Sequence, residues 1–432
     1  MKRLLPLIAL FALPCAAINP IVPPGTYYAD GEAHVWDDGK MYIYPSRDES
    51  PDYYCSWRYD VLVSDNLRDW NIVENSFVAK GPGDVVDYSD APLYAPDEAF
   101  KDGKYYLYYC MPAELCEGVA VSDSPTGPFT QATPIPNAKQ IDPAVFVDDD
   151  GQAYYYWGQF TAKGAKLQDD MRTLVPGSEV ELIDEKNEYF HEGSCMRKRN
   201  GIYYLVYAHL RKGRPTCIGY STSKSPLGPF EYGGVIIDNA GSDPMAWNNH
   251  ESIEEFNGQW YVVYHRPTHG AFSMRKVCME PIHFNEDGSI DEVEMTSQGA
   301  GEPLDACKNI EAEYACYLWG DTRITRCGEA NEHLSHISDG DYAKYRYLDF
   351  GRGVKRFQAT VTPKRGGKII VKIGNDWEPT VGEIIVPPST DGKPVVLTAD
   401  IENVKGVQEL HLVFRANDAA DSHRNHRPIL RR

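Results

Sequence analysis

Acidic side chains recur at a fixed distance before a short turn signal in this chain. An Asp-Gly or Asn-Gly pair with Tyr three residues after the glycine occurs five times, at Gly39, Gly103, Gly151, Gly201 and Gly258. Nine residues before these glycines stand Asp30, Tyr94, Asp142, Glu192 and Asn249. Carboxyl groups that converge raise one another's pKa values, and such clusters are typical of acid–base catalysis.

The turn signal also predicts the elements that position these side chains. Asp-Gly and Asn-Gly favour a two-residue β-hairpin, because both central positions of a type I′ turn need positive φ. A period of roughly 50 residues indicates a repeat array, and five hairpin units predict an all-β, five-bladed β-propeller. Ser122 to Phe129 and Ser223 to Phe230 are nearly identical, which sets the blade phase independently. If the strand before each turn is innermost, Asp30, Asp142 and Glu192 meet at the axis.

Changes in composition divide the chain into five segments. We predict a signal peptide at 1–17, a five-bladed propeller domain at 18–298 and a linker at 299–308, where Gly and Pro interrupt the repeat. A β-sandwich, jelly-roll-like, is expected at 309–418, and an irregular basic tail at 419–432. Because all three carboxylates precede residue 300, we expect the sandwich to be dispensable for turnover of a small substrate.

The N-terminal sequence and the net charge limit the possible cellular locations and partners. A basic start, an apolar core from Leu4 to Leu13 and small residues before position 18 predict a secreted or periplasmic protein. Cys15 leaves a lipid anchor as the less favoured alternative, and no later run is long enough to span a membrane. A net charge of −20 disfavours nucleic acid and is compatible with a neutral polysaccharide. We expect a monomer. Pairing of Cys110 with Cys116 is left open.

Three motifs at equivalent blade positions resemble glycoside hydrolase family 43, whose members are five-bladed propellers. They are Tyr28-Ala29-Asp30, Ile141-Asp142-Pro143-Ala144 and His191-Glu192-Gly193. One departure is Gly31, where the family usually carries Pro. The C-terminal region is similar to carbohydrate-binding module family 6 at Ile310 to Tyr314, Asp339 to Tyr345 and Leu410 to Phe414. Residues 419–432 stand where that family usually has a last strand containing Asp-Trp.

The resemblance implies roles for the three carboxylates. Asp30 is expected to be the general base and Glu192 the general acid of an inverting hydrolysis, with their carboxyl groups roughly 6.5–9.5 Å apart. Asp142 is expected to raise the pKa of the acid and to orient it. Glu32 shares a strand face with Asp30 and is the rival base.

Further side chains are candidates for contacts with substrate or metal. They are Trp36, Trp57, Tyr94, Asp97, Trp247 and Arg266 for the sugar, and His250 for a metal ion. Core packing is the alternative for each aromatic ring, a turn for Asp97 and a surface salt bridge for Arg266. The resemblance implies catalysis without a cofactor, with structural calcium as an option near His250, although calcium prefers oxygen ligands.

These observations predict a secreted glycosidase that removes terminal pentose, most simply α-L-arabinofuranosyl, from plant polysaccharide. A β-xylosidase or a galactan-active enzyme is the alternative within the class. A non-catalytic carbohydrate-binding propeller is the alternative outside it, although a binding protein has no need of three clustered carboxylates.

Overall fold

The computed structural model describes residues 18–374 and 379–417. The predicted signal peptide, residue 418 of the predicted sandwich and the predicted basic tail lie outside the described residues. Short 3₁₀ turns occur at Pro112–Glu114 and Ala312–Tyr314, and the remaining regular structure is β-strand. The prediction of an all-β chain is confirmed.

The first four blades are four-stranded antiparallel sheets in chain order. Blade one comprises β1 (Tyr28–Val35), β2 (Met41–Arg47), β3 (Arg58–Ser64) and β4 (Asn71–Val78). Blade two comprises β5 (Tyr94–Lys101), β6 (Lys104–Met111), β7 (Cys116–Ser122) and β8 (Thr130–Pro134). Blade three comprises β9 (Ala144–Val147), β10 (Ala153–Trp157), β11 (Thr161–Lys166) and β12 (Val180–Asp184). Blade four comprises β13 (Phe190–Arg199), β14 (Ile202–Arg211), β15 (Arg214–Ser223) and β16 (Glu231–Asp238).

The five turn signals all lie between the first two strands of a blade. The predicted two-residue turn forms in blades two, four and five, whereas five residues connect Val35 to Met41 and Val147 to Ala153, and in those loops only Gly39 and Gly151 of the Asp-Gly pairs have positive φ. In blade two, Asp102-Gly103 has φ values of 51° and 77°, the positive pair that a type I′ turn requires. The tyrosines that follow the turns pack between blades, as Tyr204 and Tyr42 show by their near-complete burial. The turn chemistry therefore sets the start of each blade, and the aromatic runs fill the space between sheets.

The fifth blade has three strands, β17 (Ser252–Phe256), β18 (Gln259–Arg266) and β19 (Lys276–Ile282), whereas each of the other blades has four. The segment before blade one lies along β19 instead: Ile21 N donates to Val277 O at 3.0 Å, the Asn19 amide donates to Met279 O, and Met279 N donates to Asn19 Oδ1. The inner strands β1, β5, β9, β13 and β17 contact one another in sequence, and β17 contacts β1. The predicted five-bladed ring is confirmed and is closed by both ends of the domain.

The C-terminal domain builds a β-sheet around a separate apolar core. Its strands are β20 (Leu304–Asp305), β21 (Tyr317–Trp319), β22 (Arg323–Gly328), β23 (Asn331–Ser335), β24 (Tyr342–Asp349), β25 (Val354–Val361), β26 (Gly367–Ile373), β27 (Thr380–Val386), β28 (Val395–Val404) and β29 (Val407–Ala416). Strands β24, β29, β26 and β27 are neighbours, and β25 pairs with β28. Leu304 lies in the predicted linker, yet it is buried in this core and β20 pairs with β24.

The two domains share a buried junction. Cys316 packs in an apolar cluster with propeller residues, and Leu318 N donates to Gly241 O at 2.7 Å. The hairpin of β22 and β23 lies against blade five, where His269 N donates to Ile324 O at 2.9 Å. A junction of this kind argues against the expectation that the sandwich is dispensable for turnover.

Two smaller observations concern cysteines and membranes. The nine cysteines from Cys55 onward are all free thiols, so Cys110 and Cys116 do not pair in this structure. Within the described ranges, no helix has the length and apolar character needed to span a bilayer.

Candidate active site

Asp30 lies at the start of β1 and is held by an arginine from blade five. Arg275 Nη1 donates to Asp30 Oδ1 at 2.6 Å, and both side chains are buried. Burial alone raises the pKa of Asp30, but Arg275, followed by His250 and His265, lowers it to about 2. Asp30 is therefore ionised across the neutral range, which is the state a general base requires.

The guanidinium of Arg275 is itself fixed from a second side. Asp48 accepts hydrogen bonds from Arg275 Nε at 2.9 Å and from Arg275 Nη2 at 3.0 Å. Two hydrogen bonds to one carboxylate fix both the distance and the orientation of the guanidinium, because the guanidinium is planar. His265 contacts Asp30 itself, since the Asp30 backbone N donates to His265 Nδ1 at 3.3 Å.

The residue after the proposed base is packed tightly. A Cβ on Gly31 would lie 3.0 Å from Ile43 Cγ2 and 3.2 Å from Val263 Cγ1. Ser252 Oγ donates to Gly31 O at 2.8 Å. The glycine that replaces the usual Pro therefore sits in a fixed segment of β1, so the backbone beside Asp30 is well supported.

Glu192 bonds a neutral amide, and the His191 ring lies further off, with Nε2 3.9 Å from Glu192 Oε2. Gln159 Nε2 donates to Glu192 Oε2 at 2.7 Å, and the glutamate side chain is 25% exposed. Strand β13 is bulged on both sides of Glu192 in its pairing with β14, which re-aims the side chain. Gly193 has φ of 64°, and a Cβ there would lie 3.0 Å from the His250 ring. Only glycine suits that position.

Asp142 interacts electrostatically with both of the other carboxylates. Burial, followed by the charges of Glu192 and Asp30, raises the pKa of Asp142 well above its usual range. Asp142 Oδ2 accepts a hydrogen bond from Gly193 N at 3.1 Å, which ties it to the residue after the proposed acid. The hydrogen bond to Gly193 N supports the expected orienting role of Asp142. A protonated Asp142 would repel the Glu192 carboxylate less strongly than the expected role in raising the pKa of the acid requires.

His250 lies at the centre of the group. Its Nδ1 is 3.9 Å from Asp30 Oδ1 and 3.9 Å from Asp142 Oδ2. Burial lowers the pKa of His250, so the ring is neutral near pH 7. A neutral ring facing two carboxylate oxygens suits a contact to water or to a hydrated cation, and calcium at His250 stays a prediction.

A second buried polar cluster lies on the inner strands of the propeller. His34 Nε2 bonds Asp97 Oδ1 at 2.7 Å, and Arg197 Nη2 donates to Glu32 at 2.7 Å. Ligand atoms of Glu32, His34 and Asp97 lie within 4.8 Å of one another. These atoms are engaged with protein donors, including Val145 N on Asp97 at 2.5 Å. Glu32 and Asp97 therefore brace the inner strands in this structure, away from the sugar-binding role expected of Asp97.

Aromatic side chains border the site on two sides. Tyr54 lies under Arg275, with the cation 5.0 Å from the ring centre, and Tyr94 lies 6.4 Å from Tyr54. Trp247 packs edge-on against the half-exposed Phe272, whose carbonyl oxygen bonds Asn248. Trp57 is further out, with Nε1 donating to Asp90 O. Tyr94 and Trp247 thus remain candidates for sugar contacts.

Two predicted substrate residues lie elsewhere. Trp36 follows the far end of β1, where its ring stacks on His34 at 4.8 Å and packs into the core between blades one and two. Arg266 is buried with Tyr264 and Glu280, and its Nη2 donates to Thr296 O at 2.8 Å. The structure does not bring either side chain to the carboxylates, because each points into the packing between sheets.

Sequence reasoning missed three side chains that contact the carboxylates directly, and these are Arg275, His265 and Gln159. Arg275 is 245 positions from Asp30 and has no motif around it. Gln159 lies in the loop after β10, beside the half-exposed Phe160, which contacts His191 edge-on. The repeat could have indicated Gln159, because it lies in the loop after the second strand of a blade.

Comparisons with known proteins place the chain in a class. The family model described as glycosyl hydrolases family 43 matches residues 18–290, and the model for carbohydrate binding module (family 6) matches residues 311–423. Fold and family match together define a glycoside hydrolase, which sets aside the non-catalytic alternative. The chain belongs to glycoside hydrolase family 43, and the predicted resemblance is confirmed for both domains.

Individual relatives agree over most of their length. A xylosidase/arabinosidase of Thermoclostridium stercorarium is 30% identical over 474 residues, covering 93% of this chain and 97% of that protein. Xylosidase/arabinosidase 43A of Humicola insolens is 36% identical, covering 61% of this chain and 96% of that protein. A crystal structure of a Bacillus subtilis family 43 arabinoxylan arabinofuranohydrolase with cellotetraose has a TM-score of 0.55 at 28% identity, covering 94% and 96% of the two chains.

Proposed function

We propose that this chain is a secreted, inverting glycoside hydrolase that removes terminal α-L-arabinofuranosyl residues from plant polysaccharide. Relatives named xylosidase/arabinosidase and arabinoxylan arabinofuranohydrolase support the pentose and an arabinoxylan substrate. The first of these names equally favours β-xylosidase activity, which is the second candidate. The N-terminal sequence pattern supports secretion.

The mechanistic proposal rests on the different partners of Asp30 and Glu192. Asp30 is paired with a buried guanidinium, whereas Glu192 bonds the neutral amide of Gln159. An inverting enzyme needs one carboxylate that stays ionised and another that can carry a proton. Asp30 therefore suits the base and Glu192 suits the acid.

Each side chain then has one task. Glu192 donates a proton to the departing glycosidic oxygen, while Asp30 accepts a proton from the water that attacks the anomeric carbon from the opposite face. Asp142 holds the Gly193 backbone and so fixes the direction of Glu192. A calcium ion, where bound, would be held at His250 and would supply positive charge at the axis.

Proton NMR of a fresh reaction tests the stereochemistry. Aryl α-L-arabinofuranoside, aryl β-xyloside and aryl galactoside are offered in parallel, and the expected first product on the arabinofuranoside has inverted anomeric configuration. Hydrolysis of the xyloside alone would favour the second candidate. First appearance of the retained anomer would contradict the proposed roles.

Asp30→Asn tests the base, with Asp38→Asn as the matched control. Asp38 is a carboxylate of the same blade that lies 43% exposed at the hairpin turn. The first change is expected to abolish hydrolysis of every substrate, and the control is expected to retain it. Full activity in Asp30→Asn with loss in Glu32→Gln would transfer the role to Glu32.

A further inference from the structure

A carboxylate of the C-terminal domain is buried against the propeller close to the proposed base. Glu332 lies on β23, and its side chain and that of Lys276 are 0% and 2% exposed. Lys276 Nζ donates to Glu332 Oε2, and Tyr27 Oη donates to Glu332 Oε1 at 2.6 Å. A buried lysine needs such a counter-charge, so the second domain completes an ion pair of the first.

The two partners of Glu332 adjoin the two halves of the Asp30–Arg275 pair. Lys276 directly follows Arg275, and Tyr27 precedes Asp30 by three residues. The carbonyl oxygen of Tyr27 also accepts from Asp48 N at 3.0 Å, and Asp48 is the carboxylate that grips the guanidinium. One side chain from the C-terminal domain thus connects both segments whose spacing decides the Arg275–Asp30 contact.

The rest of the β22–β23 hairpin holds the same segments. Arg326 N donates to His269 Nε2 at 3.2 Å, in the loop that leads to Arg275. The Arg326 guanidinium donates to Tyr27 Oη at 3.0 Å and to Gly25 O at 2.6 Å. The hairpin therefore fixes the chain before Asp30 and the chain before Arg275 relative to each other.

We propose that Glu332 is a positioning residue for hydrolysis, acting through Tyr27 and Lys276 on the Arg275–Asp30 pair, so that the C-terminal domain is part of the catalytic unit. This inference rests on the proposed role of Asp30 as base. A displacement of about 1 Å at a reacting group can cost about a hundredfold in rate, so a link that fixes this pair has a direct effect on turnover.

A double-mutant cycle in the full chain tests the link. Glu332→Gln keeps the shape of the side chain and removes its charge, and it is combined with Arg275→Lys. We expect Glu332→Gln to lower kcat on an aryl arabinofuranoside about tenfold with little change in KM, and to cost much less when Arg275 is already altered. A purely structural role would lower kcat by the same factor in both backgrounds and would overturn the inference.

Glu294→Gln is the matched control at the same junction. Glu294 bonds Tyr347 of the C-terminal domain at 2.7 Å and contacts neither Tyr27 nor Lys276. We expect unchanged kcat in this variant, and a loss equal to that of Glu332→Gln would overturn the inference. Should Glu332→Gln fail to fold, Tyr27→Phe takes its place in the cycle, because it removes only one hydroxyl of the link. Asp30→Asn separates the two proposals, since full activity there removes the base role itself.

Discussion

Replacing Arg275 with methionine should move the acid limb of catalysis to higher pH. The side chain of methionine fills similar space but carries no charge. Asp30 keeps its burial, which raises its pKa, and loses the first of the interactions that lower it. The pKa of the Asp30 carboxyl should therefore rise from about 2 toward the ordinary 3.8.

The size of the effect follows from that difference. A shift of about two pH units corresponds to roughly 2–3 kcal/mol between the protonation states of Asp30. At pH 3 the native base would be about nine-tenths ionised and the variant base about one-seventh, so kcat/KM falls about sixfold from protonation alone. At pH 6 both are ionised, and the remaining loss reports geometry.

The assay is kcat/KM on an aryl arabinofuranoside between pH 3 and 7, with the folded fraction followed by near-UV circular dichroism at each pH. An acid limb at the same pH in both proteins would refute the claim that Arg275 keeps the base ionised. Asp48 remains bonded to the backbone N of Cys55 and of residue 275, which helps the variant to fold.

Stability supplies a second readout with a defined sign. The pKa of Asp30 is lower in the folded protein than in the unfolded chain, so its ionised form stabilises the fold above about pH 4. That contribution is lost as the pH falls toward about 2. The Tm deficit of Arg275→Met should therefore be largest near neutral pH and shrink on acidification.

Three further outcomes are expected. Glu192→Gln should lower kcat/KM most on aryl glycosides with poor leaving groups, because these need protonation of the departing oxygen; equal loss across a leaving-group series would contradict the acid role. Phe160→Ala should raise KM for an oligosaccharide several-fold without changing KM for an aryl glycoside, because the half-exposed ring lies beside Gln159; a rise on both substrates would argue against a role in binding the rest of the chain. Removal of residues 303–432 should lower Tm by roughly 5–10 °C and reduce turnover, since it exposes the apolar junction around Cys316; unchanged turnover in the shortened chain would restore the expectation that the sandwich is dispensable.

The blade phase could be predicted because its signal is local. Asn-Gly and Asp-Gly pairs mark the turn after each inner strand, so counting back from Gly39, Gly151 and Gly201 reaches Asp30 in β1, Asp142 two residues before β9 and Glu192 in β13. The sandwich strands were predictable for a similar reason. Strands β26 and β29 are rich in Ile, Val, Leu and Phe, which are the residue types that indicate a strand.

Contacts between blades that are distant in the sequence could not be predicted in this way. Arg266 and Arg275 are both buried arginines of blade five, and no local pattern tells which one faces Asp30. Likewise, Trp36 is six residues from Asp30 but lies past the other end of β1, because a strand rises by about 3.3 Å per residue. Side chains near in sequence are thus separated, while those of blade five and blade one meet where the ring closes.

The assignment of acid and base depends on those distant contacts. The sequence supplies three carboxylates at one offset, and each could hold or release a proton in isolation. Arg275 determines the state of Asp30, and its place is fixed by Asp48 and, through Lys276, by the C-terminal domain. Glu192 instead receives the amide of Gln159, which bonds a carboxylate without adding a positive charge. The ionised state of the proposed base therefore arises where the ring closes and at the domain junction, and the setting of the proposed acid arises between blades three and four, rather than in the repeat that brings the carboxylates together.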